Sequence, residues 1–219
     1  QWGKEPKNLS AEFAPKRIDL RDDGNKNIFK DKWEYFHPEG SGKIIENILS
    51  DAIVNFENEI TINNIDLHKK NFDAVVMTSS LDLFLDHNEK LEWRGIESKA
   101  EFYPTSSDEE KITEAYQINH PSLNDEFTRT IETKHASGQL VSGTVVCKEY
   151  PVSGLRHYPV LNKDDSNTKL NNKLKEVINK SVSLPVFFCG RLANYQYINQ
   201  DEAILQGFSA AKKLRSHFK

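Results

Sequence analysis

Two short continuous apolar runs, Asp73–Thr78 and Pro185–Cys189, constrain this chain most. Each is too short for a helix, and each reads as a strand buried on both faces. The segments between them are different. Leu91–Phe102, Ala115–Asn119, Phe127–Thr133 and Thr144–Tyr150 are strand-like and separated by polar loops such as Ser106–Lys111, the pattern of an antiparallel sheet. Helical spacing appears in Ile44, Ile45, Ile48, Leu49, Ala52 and Ile53, in Asn167–Lys180 with Leu170, Leu174 and Ile178, and in Asp201–Phe218. In the last of these, Ile204, Phe208, Ala211 and Leu214 are expected to face inward. A short helix is expected over Ser79–Asp86, and a strand or hairpin over Asn55–Leu67. Strands and helices mix without strict alternation, so the fold class is mixed α/β, or α+β.

At 219 residues the chain is long enough to bury a sizeable core. A net charge of −4 gives no support to a nucleic-acid or membrane-surface partner. No apolar run approaches the roughly 20 residues a membrane span needs, and no secretory signal is visible. Cys147 and Cys189 lie in apolar strand-like runs and read as buried free thiols of a cytoplasmic protein. Gln1 is not an initiator methionine, and Gln1–Lys4 reads like the middle of a longer sequence.

The most suggestive local pattern is the strand–Gly190–Arg191–loop–helix near the end. Such a turn can present backbone N–H groups and a positive helix end to an anion, with the Arg191 fork beside them. A plain capped helix is the alternative, because Asn199 can cap and Glu202 completes a capping-box pair. In Phe127–His135, Arg129 and Ile131 share a strand face, so Arg129 is either ligand-facing or paired with Glu149 or Glu132. Lys148–Pro151, His157–Pro159, Lys16–Arg17 and Trp93–Arg94 add cations, a carboxylate and tyrosines. Together they would suit a ligand with two phosphates and a sugar. The seven histidines show no metal-ligand spacing. Gly40-Ser41-Gly42-Lys43 has too few glycines for a phosphate loop and reads as a turn before a helix.

Seven stretches occur in an order that resembles the UDP-galactopyranose mutase family: QWG (1–3), APKRIDLR (14–21), LEWRGIE (91–97), FTRTIETKH (127–135), KEYP (148–151), HYPV (157–160) and CGRLANYQY (189–197). The resemblance implies the C-terminal part of a flavoprotein. Residues 1–53 would be a substrate-cleft segment and 54–183 a sheet-rich substrate domain with part of the FAD-domain sheet. Residues 184–219 would be the closing strand and helix of a Rossmann-like FAD domain. It implies an enzyme that interconverts pyranose and furanose forms of a UDP-linked sugar, with reduced FAD as covalent catalyst and no catalytic side chain. By resemblance, Arg17 and Arg129 bind the substrate diphosphate, and Trp2, Arg94, Glu149, Tyr158, Tyr197 and Asn199 line the sugar-nucleotide site. Arg191, Asn199 and Gln200 fall where the flavin is held. A homodimer, or a separate N-terminal FAD-binding polypeptide, would be the protein partners, since the family's opening GxGxxG unit is absent from these residues. Four positions depart from the family pattern. Asn199 replaces an aspartate, Ile28 a phosphate-side tyrosine and His157 the first tyrosine of PYYP, and a glycine-rich stretch is here His37–Gly42. A non-catalytic nucleotide-sugar binder and an amine-oxidase-like flavin oxidoreductase are the competing readings.

Overall fold

The computed structural model describes residues 2–11, 22 and 37–219. They form a mixed α/β protein with one parallel and one antiparallel sheet, distributed over two compact units. One unit holds residues 37–57 and Gly95–Val152, and the other holds residues 2–11, Asn58–Arg94 and Ser153–Lys219.

The second unit contains the apolar runs noted above. β1 (Val75–Met77) and β7 (Val186–Phe188) pair in parallel, Val75 opposite Val186 and Met77 opposite Phe188. The ladder is extended at both ends, where the Val75 N–H donates to Pro185 O and the Cys189 N–H to Met77 O. Burial is one-sided rather than two-sided, because Met77 is enclosed while Val76 remains 46% exposed. α2 (Leu81–Phe84) follows β1 and buries Leu81 and Phe84. β6 (Tyr158–Pro159) pairs with Trp93 and Arg94, the first residues of β2 (Trp93–Tyr103).

α4 (Ser166–Ser181) presents Leu170, Leu174 and Ile178 at one-turn spacing to a core that includes Ile65, Met77, Leu81, Phe84, Leu91 and Trp93. Two asparagines on the same stripe donate to carbonyls: Asn167 Nδ2 to Val160 O at 2.9 Å, and Asn171 Nδ2 to Ala193 O at 3.3 Å, while the Asn171 Oδ1 is buried without a hydrogen-bond partner. β7 runs through Gly190 into α5 (Gly190–Asn194), and α6 (Gln200–His217) closes the unit.

Two expectations fail here. The hairpin over 55–67 does not form. Asn64 Oδ1 accepts the Thr61 N–H and Asn64 Nδ2 donates to Glu59 O, both at 2.8 Å, which closes a turn leading into a 3₁₀ helix, Ile65–His68. Likewise α6 turns only Leu214 of the expected row inward, and Ala211 is exposed. Ala203, Gln206, Gly207, Ala210 and Leu214 lie on its covered side, whereas Ile204 and Phe208 are 53% and 71% exposed. The covered side is thus mostly the less bulky one, and the bulkier apolar stripe is left outside.

The other unit carries α1 (Ser41–Ile48) and an antiparallel sheet in the order β3-β4-β5-β2. Its strands are β3 (Gln117–Asn119), β4 (Arg129–Glu132), β5 (Thr144–Val152) and, from Gly95 onward, β2. α1 stops at Ile48, so Ala52 and Ile53 fall beyond the helix their spacing suggested. A one-turn helix, α3 (Lys134–Ser137), follows β4. No helix among the described residues is long and apolar enough to cross a membrane.

Candidate functional site

An aromatic cluster forms in the unit that holds the parallel sheet. Tyr158 comes from β6, Tyr197 from the segment between α5 and α6, and Trp2 from the first described residues. The Trp2 ring lies 5.5 Å from Tyr158 and 5.1 Å from Tyr197, both edge to face, and the two tyrosines are 5.6 Å apart. Such edge contacts suit aromatic quadrupoles and hold rings at fixed tilts.

Arg191 caps this cluster. Its guanidinium carbon lies 5.7 Å from the Tyr158 ring and 5.3 Å from the Tyr197 ring. Nη1 donates to His157 O at 2.6 Å, and Nη2 donates to Ile198 O. Arg94 is the cross-strand neighbour of Tyr158, and its Nη1 donates to Ser153 Oγ at 3.0 Å. The chain passes close over that side chain at Gly3, where φ is +66° and an added Cβ would sit 3.0 Å from Arg94 Cζ and Nε. Glycine is required at this approach.

Two anchors behind the cluster carried no signal in the motif spacing. Tyr195 is buried, with its ring edge-on to Trp93 at 5.0 Å. Its hydroxyl accepts the Val160 N–H at 3.0 Å and donates to the carbonyl of Glu92 or Val160. Burial pushes this phenol well above its ordinary range. Arg156, one residue before His157, grips Asp82 with two parallel bonds of 2.8 and 2.9 Å and also donates to Ser80 Oγ. Asp82 is fully buried and accepts the Leu91 N–H as well. The only hint of that pair in the sequence is one aspartate in an otherwise apolar helix.

Arg129 and Glu149 belong to the antiparallel sheet. They are directly opposed on β4 and β5, with Arg129 Nη1 3.2 Å from Glu149 Oε2, and Arg129 Nε donates to Asn119 Oδ1. The approach is an ion pair by distance, not an aligned hydrogen bond, since that oxygen is buried without a hydrogen-bonding donor. Of the two carboxylates considered for Arg129, Glu149 is therefore the partner.

Glu132 points to the other face and ties the sheet's end together. It accepts from the N–H groups of Ile112 and Thr113 and from the hydroxyls of Thr113 and Thr144. Burial raises this carboxyl, but those four donors outweigh it and hold the group down to about 2. Arg17 and Ile28 lie outside the described residues.

The fold is mixed α/β, and one of its units gathers three rings and two arginines in one cluster. Residues 1–197 match the UDP-galactopyranose mutase family model, and the chain belongs to that family. It is also 25% identical, over 97% of its length, to the dTDP-fucopyranose mutase of Escherichia coli, of which the match covers 56%. The chain thus spans about half the length of the curated relative it matches. Both are sugar-nucleotide mutases, which are isomerases.

Mutases of this family are generally flavoenzymes. A flavin diphosphate at the Gly190 turn would need free N–H groups and a positive helix end. The Gly190 N–H instead donates to Gln206 Oε1 at 2.8 Å. At α6, Asn199 and Glu202 form a capping box with the Asn199 N–H on Glu202 Oε2 at 2.9 Å, and Asp201 adds a second acidic group to the first turn. The capped-helix alternative is the one observed, and this turn does not fit a diphosphate. Gly190 has φ +85° with nothing within 4 Å of a built Cβ, and Asn199 and Gln200 are exposed.

Proposed function

We propose that this chain is part of a flavin-dependent mutase that interconverts the pyranose and furanose forms of a nucleotide-linked sugar. The observation that carries the reading is the Trp2–Tyr158–Tyr197 cluster flanked by Arg94 and Arg191. Aromatic edges and faces exclude water from a sugar or base, and the adjacent guanidinium groups offset phosphate charge. Arg129, held on its strand by Glu149 and Asn119, is proposed to contact the substrate diphosphate, as is Arg17. Glu149 and Asn199 are proposed as substrate contacts, the latter as a neutral amide that donates to a sugar hydroxyl rather than only accepting from one.

The chemistry reduced FAD supplies in such enzymes is nucleophilic attack at the anomeric carbon. Asn199 and Gln200, with the N–H groups of Arg191 not used on main-chain carbonyls, are proposed to border the cofactor. The sugar nucleotide is proposed to be a UDP- or dTDP-hexopyranose. The protein is proposed to act in the cytoplasm, as a homodimer or with a separate FAD-binding polypeptide.

The test is to incubate the intact protein, reduced with dithionite, with UDP-galactopyranose and with dTDP-fucopyranose and to follow the anomeric protons by NMR. Furanose product from either substrate supports the reading, and no conversion of either overturns it. The neutral Asn199 favours a second reading, a relative that binds the nucleotide sugar without turning it over. Tight binding that is indifferent to flavin would select that one.

A further inference from the structure

The three rings come from segments that no single element holds together: β6, the link between α5 and α6, and the start of the described chain. Arg191 bridges two of them. The carbonyl taken by Nη1 belongs to His157, immediately before Tyr158, and the carbonyl taken by Nη2 belongs to Ile198, immediately after Tyr197. A guanidinium is planar, so two donors on two carbonyls fix both the spacing and the relative tilt of the backbones that carry those tyrosines. The same group lies over both rings, at 5.7 and 5.3 Å, adding cation–π attraction to each. Its own origin is fixed in turn, because Gln206 holds the Gly190 N–H and the Asn194 side chain at 2.8 Å each, setting the start and end of α5.

We propose that Arg191 is a positioning residue for the nucleotide-sugar site, acting through Tyr158 and Tyr197 by clamping the main chain beside each. This rests on the proposed function for the identity of the ligand, though not for the geometry of the clamp. Lysine cannot replace the arginine. An ammonium group can keep the charge over the rings, but it cannot hold two carbonyls at the separation a planar fork imposes.

The experiment compares Arg191→Lys and Arg191→Ala with the parent in the intact protein. Three quantities are read: the Trp2 contribution to fluorescence, taken as the difference from the matching Trp2→Phe protein; the affinity for UDP and dTDP by calorimetry; and the flavin content. In both variants the Trp2 emission changes and nucleotide affinity falls about tenfold or more, whether or not flavin content also falls. Arg191→Lys keeps the charge, so it guards against a variant that merely fails to fold. Unaltered Trp2 emission and nucleotide affinity in both variants would overturn the clamp. A loss of flavin alone would also overturn it and assign Arg191 to the cofactor. If the parent protein binds neither nucleotide, the proposed function fails, and the Trp2 emission still reads the clamp.

Discussion

Glu132 offers the sharpest test of how the antiparallel sheet is held. Its two oxygens face four donors, with the Thr113 N–H at 2.7 Å and the hydroxyls of Thr113 and Thr144 at 2.6 and 2.7 Å. Replacing it by glutamine keeps the shape but removes the charge and sets an amide NH2 against groups that are themselves donors. The carboxyl lies at about 2 instead of its ordinary 4.5. At about 1.4 kcal/mol for each pH unit, the charged form is favoured by roughly 3 kcal/mol in the folded state. Because the folded value is depressed, this stability is fully present above about pH 4.5. It is lost as pH falls through that value towards 2.

The assay is urea denaturation of the parent and of Glu132→Gln, followed by circular dichroism at intervals from pH 7 to pH 2. The variant is expected to be about 3 kcal/mol less stable at pH 7, and the gap is expected to close as the pH falls towards 2. A gap that is absent at pH 7, or that stays constant between pH 5 and pH 2, would refute the assignment of the stabilisation to the ionised form.

Tyr195→Phe leaves the ring against Trp93 but strips the Val160 N–H of its acceptor and a carbonyl of its donor. A loss of about 1–3 kcal/mol in thermal or chemical denaturation is expected, and an unchanged midpoint would contradict it. Asp82→Ala strands the Arg156 guanidinium beside a buried position, so a loss of about 3–5 kcal/mol is expected in the same assay.

The strands were legible because their apolar patterns are local. β2, β4 and β5 lie within a few residues of their expected spans, as do β1 and β7, which obey the length limit on short buried runs. Helix α4 was equally clear, since Leu170, Leu174 and Ile178 are both the periodic residues and the buried ones. α6 shows where periodicity stops informing. It carries two stripes, one of small residues and one of bulky apolar ones, and only the neighbouring backbone decides that Ala203 and Ala210 go inward while Phe208 stays out.

At the site, the motifs named Trp2, Arg94, Tyr158 and Tyr197, and the structure brings these together with Arg191. The task Arg191 performs was not readable, because the carbonyls of His157 and Ile198 have no signature in side-chain identity. The same holds for the Arg156–Asp82 pair, whose members are 74 residues apart.

The cluster also has a consequence for the order in which the chain folds. Its members come from opposite ends of the sequence, and the segment carrying Trp2 is pinned by Lys4, whose ammonium bonds Asn162 across a separation of 158 residues. Tyr195 bridges 103 residues to reach the Glu92 carbonyl. Contacts this distant close large loops, so they form after the local turns and helices around them. A newly made chain would therefore have α4 and its local turns before it could close the parallel β1–β7 pair or gather these three rings.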